Sequence, residues 1–418
     1  MNNLNSFIQK NGLDAFKKLA YHFTSNYNYN CILDSCKLKT GVYEGKYEFL
    51  AAFGAEKIVQ NPEELEKYKN ENNWFFGVVG YDLKNKFEEL SSLNSEIIHT
   101  PELLFFVPKI IIGIDREENV TLIKGALPPN FWHESEQKHP HRINPEEVPI
   151  IKEDYLKKIN AIHELIREGE VYELNYCVPH KFTYEEFSPI NFQIALINKS
   201  PVPMAAYFSA DSLHLCGASM ERYLTKKEDK ILSQPIKGTI KKGETIEEDH
   251  ALIASLLNSE KDRAENVMIV DLVRNDLNKI CQTSSVKVTE LCEIYSYLQV
   301  HQMISTVEGK LKPNTSFTDI LRATFPMGSM TGAPKIAAMK HIDELESFKR
   351  GWYSGSVGYI QPNGDFDFNV VIRSLLCDED KKILNYCAGG AITIDSNPEN
   401  EWEEIQVKTK AITEVLNN

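Results

Sequence analysis

The chain has 418 residues, 42% hydrophobic and 25% charged, which is enough to bury a sizeable core without disulfides or metal staples. Sixty acidic against 46 basic residues leave a formal charge of −14, which argues against non-specific nucleic-acid binding while still allowing a local basic pocket for a small anion. The opening MNNLNSFIQKNG lacks a leader pattern, no apolar run reaches the roughly 20 residues that span a bilayer, and the eight cysteines form no CxxC pair, so the expectation is a cytoplasmic protein with reduced thiols.

In chain order, the first third alternates strand-like runs (Cys31 to Asp34, Tyr47 to Ala52, Leu103 to Gly113, Val120 to Ile123) with short polar helices. Residues 128–149, rich in proline, histidine and charge, read as a linker between a part at 1–127 and a part at 150–418 that holds nearly all the chemistry. The linker histidines His133, His139 and His141 have no convincing ligand set for zinc. After the linker, Asp154 is placed to cap a helix carrying Tyr155, Ile159, Ile162 and Ile166, and Gly169 ends it. VYELNYCVPHKF follows as a strand, and Ala205 to Phe208 and Leu213 to Cys216 read as neighbouring strands turned at Asp211-Ser212. Asn363-Gly364 marks a hairpin, and Glu399 to Asn417 is a closing amphipathic helix. The expected class is α/β (α+β) with mostly antiparallel sheet.

Several constellations point to chemistry. Asp262 and Glu265 are three residues apart, as are Glu401 and Glu404. On a helix such pairs share a face, and two such faces meeting would offer the oxygen ligands that Mg²⁺ favours. Ordinary helix surfaces carry acidic pairs too, and Lys408 fits an i,i+4 salt bridge to Glu404 equally well. SQPIKGTIKKG puts Lys237 in a tight loop before Gly238 and Thr239. As a nucleophile that lysine needs its pKa lowered, by burial or by the nearby Lys241 and Lys242; otherwise it belongs to a solvated basic loop. FPMGSMTGAPK (325–335) is either an anion-binding loop before a helix or a tight packing turn, and its spacing is not that of a P-loop. Gly389 and Gly390 end a strand where a ligand can approach the backbone closely. Arg373, within the apolar run NVVIRSLL, needs an anionic partner from the protein or from a substrate.

The order and wording of these segments resemble the chorismate-utilising enzymes, the family of anthranilate synthase component I, aminodeoxychorismate synthase component I and the isochorismate and salicylate synthases. The resemblance runs through ILDSC (32–36), GEVYELNYC (169–177), SMER (219–222), PIKGT (235–239), AENVMIVDLVRNDL (264–277), VHQMIST (300–306), GSMTGAPK, RGWYSGSVGYI (350–360) and DFDFNVVIRSL (365–375) to the final helix. It implies the family's fold, antiparallel sheets packed as a β-sandwich core with surrounding helices, and Glu265 and Glu404 as Mg²⁺ ligands, with Asp262 and Glu401 behind them. It implies Arg373 and Tyr353, helped by backbone N–H groups near Gly389, as the grip on the enolpyruvyl carboxylate. Lys408 and the Gly238-Thr239 turn would line the pocket, Glu221 would protonate the departing C4 hydroxyl, and His301 would be the family's active-site histidine.

PIKGT is similar to the aminodeoxychorismate synthases, in which the lysine is thought to attack C2 before ammonia adds at C4. That implies 4-amino-4-deoxychorismate as product, on the route to 4-aminobenzoate and folate. The rivals are an anthranilate synthase component I, an isochorismate or salicylate synthase, and a non-catalytic chorismate-binding subunit. The chain departs from the family pattern at Glu173, where aminating members carry glutamine, and in SMER for SPER. No G-x-C-x-G glutaminase elbow is present, so the resemblance implies ammonia from a separate glutaminase subunit (component II). A related segment in the family helps to form a tryptophan site, which makes Asp34 and Ser35 candidates for a vestigial effector pocket.

Overall fold

The structure, a computed structural model, describes residues 2–39, 43, 45–69, 71–132, 141–298 and 300–417. His133 and His139 lie outside them.

Strand pairing builds one continuous antiparallel series from both sides of the 128–149 stretch. It starts at Glu173–Glu186 and passes through Ile383–Ile392, Ser374–Asp378, Leu213–Ser219 and Met204–Ala210 to Tyr29–Asp34 and Tyr47–Val59. The long strand Leu103–Asp115 then pairs with Tyr47–Val59 on one side and Phe75–Val79 on the other, and so carries the series round a corner. Beyond it lie Ser356–Ile360, Phe366–Asn369, Arg222–Lys227, Lys230–Gln234, Val300–Lys310 and Lys287–Ser296. Tyr29–Asp34 pairs with Met204–Ala210, so residues before and after the predicted linker share one sheet.

The two halves of the series face each other across Phe76, Phe106, Phe208, Trp352, Val357 and Leu376, a sandwich interior of alternating inward residues. Each outer face is covered by helices. Leu13–Phe23, Pro189–Lys199 and the end of Pro398–Leu416 pack on one half, and Glu260–Ile280 and Phe317–Thr324 on the other. Burying both faces explains why strands such as Phe75–Val79 read as unbroken apolar runs rather than alternating ones.

Local expectations fare well. The hairpin turns at Gly364, whose φ of 81° is the left-handed geometry glycine supplies. The helix after the linker spans Lys152–Arg167, but Ile151 is its N-cap and Asp154 lies in its first turn, where a carboxylate meets the positive end of the helix. PIKGT is not a loop. Ile236–Lys241 is a strand on Val300–Lys310, with a register shift between Ile236 and Thr239 that bulges out Lys237 and Gly238.

Candidate active site

At one end of the sandwich the N-terminal turns of two helices face a cavity of about 380 Å³. Ser259 caps the Glu260–Ile280 helix by accepting from the Asp262 N–H, and Asn397 caps Pro398–Leu416 by accepting from the N–H groups of Glu399 and Asn400. Both caps orient a positive helix end toward the cavity, which favours the carboxylates standing there. Asp262, Glu265, Glu401 and Glu404 all line it, so the two i,i+3 pairs do converge.

Between them lies a cation that the spacing analysis missed. Lys261 Nζ is 3.1 Å from Glu401 Oε1 and 3.8 Å from Glu265 Oε1, bridging the two helices. Its position four residues before Glu265 was the available signal. Burial pushes the Glu265 carboxyl up to about 7 against the pull of Lys237 and Lys261, and its Oε1 has no hydrogen-bond partner. Glu404 is bound by Lys408 at 2.6 Å, which outweighs its desolvation and holds it below the usual carboxylate range. Among the described residues no cluster of three or more His, Cys, Asp and Glu side chains is arranged to hold a metal ion by itself.

The bulge at Lys237 turns its side chain into the cavity. A side chain at Gly238 (φ 84°) would press on Asp262 and Leu256, so the bulge needs glycine there. The sequence argument called for a lowered lysine pKa, with Lys241 and Lys242 as the neighbouring cations. The structure corrects this: the neighbours are carboxylates. Burial works to lower the Lys237 pKa, but Glu173, Glu265 and Glu221 together hold it above its ordinary value. Glu173 is the closest, with Nζ donating to Oε1 at 3.1 Å.

Glu221 sits at the buried corner between Leu213–Ser219 and Arg222–Lys227. It accepts a hydrogen bond from Ser329 Oγ at 2.7 Å, and burial pushes its carboxyl up to about 7. Ser329 belongs to GSMTGAPK, which is a packing turn here. Gly332-Ala333 pairs with Leu174 and Glu173, and a side chain at Gly332 would strike the Glu173 carbonyl. No spacing rule could have found Ser329, because its partner is 108 residues away.

Arg373 is not within a strand as its apolar surroundings suggested. It occupies the break between Phe366–Asn369 and Ser374–Asp378 with φ 51°, and its Nη1 donates to the Lys408 carbonyl at 2.6 Å. Among the described residues no carboxylate is in ion-pair range of it, and burial brings its pKa down to about 10. Tyr353 lines the same wall and is held near Cys177. Gly389 lines the cavity too, where any side chain would strike the neighbouring strand, and its carbonyl accepts from Lys408 Nζ at 2.7 Å. Gly390 is not a lining residue, but leaves room for Glu401 and Lys408. Thr239 lines the cavity beside Gly238.

Like Gly390, His301 does not line the cavity. In its strand Val300 faces the cavity, so His301 faces away, fully buried between Ser296 and Asp249 at 2.8 Å each.

The family model for chorismate binding enzymes matches residues 28–414. This chain belongs to that family. Chorismate-binding relatives include the chloroplastic aminodeoxychorismate synthase of Arabidopsis thaliana, 36% identical over 81% of this chain and 39% of the relative. They also include aminodeoxychorismate synthase component 1 of Escherichia coli K12, 32% identical over 81% of this chain and 76% of the relative. Anthranilate synthase component 1 of Saccharolobus solfataricus is 33% identical over 80% and 79%. The chain spans only 39% and 51% of the Arabidopsis and rice chloroplastic relatives. Among solved structures, anthranilate synthase component I from Streptococcus pneumoniae TIGR4 superposes with a TM-score of 0.75 at 26% identity, over 90% of this chain and 94% of that one. No helix among the described residues is long and apolar enough to cross a membrane.

Proposed function

We propose that this chain aminates chorismate at C4 with ammonia, giving 4-amino-4-deoxychorismate. The observation that carries the reading is the position of Lys237: its amine enters the cavity beside Glu221, opposite the facing acidic helices. With Glu221 holding its proton, Lys237, Lys241, Lys261, Arg373 and Lys408 face Asp262, Glu265, Glu401 and Glu404, and these four carboxylates, gathered on the two facing helices, repel the oxygens of an incoming anion. A dianionic substrate therefore fits best together with a divalent cation.

The carboxylate donors suit Mg²⁺, a hard ion that takes few protein ligands and completes its shell with water and substrate oxygens. Glu265 Oε1, buried without a hydrogen bond, and the ammonium of Lys261 between the helices mark where a cation is wanted. Glu265 and Glu404 would hold the ion, with Asp262 and Glu401 behind them, and bound there it would supply charge neutralisation for the ring carboxylate.

The chain's own residues do the rest. Arg373 has guanidinium donors without a carboxylate, and with Tyr353 it grips the enolpyruvyl carboxylate. Glu221, with a pKa near 7, keeps its proton into the neutral range and gives it to the departing C4 hydroxyl. Lys237 Nζ attacks C2, the ring double bonds shift and the C4–O bond breaks. Ammonia then adds at C4 and the C2–N bond breaks, returning the lysine. The ammonia comes from a separate glutaminase subunit, in a cytoplasmic route to 4-aminobenzoate.

The test is product identification with chorismate, Mg²⁺ and ammonium salt at alkaline pH, alongside Lys237→Ala. Wild type should give the C4 amine, and glutamine alone should give nothing. Intact mass of wild type without ammonia should show an adduct on the Lys237 peptide. Anthranilate as product, with Lys237→Ala fully active, would establish the C2-aminating reading instead.

A further inference from the structure

Lys237 is protonated in its surroundings of carboxylates, and an ammonium cannot attack carbon. Something must take its proton before the attack. The carboxylates facing it are Glu173 from the Glu173–Glu186 strand, Glu265 from the Glu260–Ile280 helix, Glu221 from the corner before Arg222–Lys227, and Glu404 from Pro398–Leu416, and the cations Lys241, Lys261, Arg373 and Lys408 share the cavity. Three of the carboxylates are committed elsewhere. Glu265 belongs to the cation site, Glu221 carries the proton for the leaving hydroxyl, and Glu404 is bound by Lys408.

Glu173 is different. It is fully buried (0% exposed) and absent from the cavity lining, so it stands behind the lysine where substrate does not reach. One oxygen accepts from Lys237 Nζ at 3.1 Å, and the other, Oε2, is buried with no partner at all. A buried carboxylate oxygen without a donor is costly unless it has work to do. Its backbone is held by pairing with Ala333, and its side chain is enclosed by protein.

We propose that Glu173 is the base that takes the proton from Lys237 and stores it through the covalent stage, an assignment that rests on the lysine-attack reading above. The proton balance closes without any outside reagent. The Lys237 ammonium passes one proton to Glu173, and the neutral amine forms the N–C2 bond as C4–O breaks and the hydroxyl leaves as water with the proton of Glu221. Ammonia adds at C4 and the N–C2 bond breaks, freeing neutral lysine. The new C4 ammonium returns a proton to Glu221, and Glu173 returns its own to Lys237. Glutamine at this position keeps the hydrogen bond but cannot hold a proton.

The experiment compares wild type, Glu173→Gln, Glu173→Asp and Lys237→Ala, following adduct formation by rapid-quench intact mass with chorismate and Mg²⁺, and C4 amination, from pH 6 to pH 10. Glu173→Gln should form the adduct about 100-fold or more slower at neutral pH, consistent with loss of a general base. The deficit should shrink as pH rises and solvent takes over, while chorismate affinity stays within about twofold. Glu173→Asp should recover part of the neutral-pH rate. Glu173→Gln forming the adduct at the wild-type rate and pH profile overturns the proposal and leaves the lysine reading standing. So does a loss that is equal at every pH or is accompanied by lost chorismate affinity, since that is a structural role. Absence of any adduct in wild type, with Lys237→Ala aminating C4 normally, overturns the underlying reading instead.

Discussion

Two regions of this molecule bury charge, and they do so differently. Beneath the Leu13–Phe23 helix, Lys17 Nζ donates to Asp34 at 2.7 Å and to Glu48 at 2.9 Å, while Arg116 holds the other Glu48 oxygen at 2.9 Å together with Ser35. No buried side-chain nitrogen or oxygen of Lys17, Asp34, Ser35 or Glu48 is left without a partner. In and behind the cavity at the other end, Glu265 and Glu173 each bury an oxygen without a hydrogen bond, Arg373 lacks a carboxylate, and Glu221 holds a proton into the neutral range. The first region has spent its charges on itself. The second keeps them for a ligand. The contrast also bears on the suspected effector segment: Asp34 and Ser35 are engaged by Lys17, Glu48 and Arg116.

Several experiments would break or sharpen this contrast. The largest effect should come from the cation site. Glu265→Gln or Glu404→Gln should lower turnover by on the order of 10³-fold or more, as expected when several kcal/mol of charge stabilisation are lost, with the melting profile intact. Steady-state rates across an Mg²⁺ titration check this, and normal activity at limiting Mg²⁺ would remove those two residues from the site.

Glu221→Gln should cost about 10²–10⁴-fold in kcat, the usual contribution of a general acid. Wild-type kcat should fall as pH rises through about 7, as Glu221 loses its proton. The stability of the wild type changes in the same direction with pH. A carboxyl raised from 4.5 to about 7 favours the folded state while protonated, and that contribution is lost as pH rises between those values. Glu221→Gln should therefore be the more stable protein at pH 8, by up to about 3 kcal/mol relative to its difference at pH 4. Denaturant titrations at the two pH values measure it, and a pH-independent difference would contradict the buried-acid assignment.

Lys17→Met tests the other region. Removing one partner from a buried ion network costs about 3–5 kcal/mol of stability. The kcat and KM of the folded variant should stay at wild-type values, so a change in chorismate kinetics would mean that the two regions are coupled. The smallest of the four effects is expected for Arg373→Ala, which should weaken chorismate binding by about 3 kcal/mol through loss of a desolvated charge pair. Calorimetry would detect it, and unchanged affinity would reduce Arg373 to a prop for the Lys408 carbonyl.

Much of the site was legible because its parts are local. The acidic pairs declare themselves by helical spacing, the bulge by a glycine after Lys237, and the hairpin by Asn363-Gly364. Lys261 could have been found by the same i,i+4 rule that suggested Lys408. Ser329 could not, because only the fold brings it to Glu221. His301 was named by resemblance alone, which carries a residue type without its direction; in a strand the direction alternates residue by residue, and here the ring packs between Ser296 and Asp249.

The sequence by itself therefore determined the family, the elements and the residues able to do chemistry, since periodicity, caps and turn residues act over a few positions. Only the tertiary structure decided what each charge would meet. A pKa depends on burial and on neighbours that are distant in sequence. Lys237 was expected beside other cations, but Glu173, 64 residues away, sets its state together with Glu265 and Glu221.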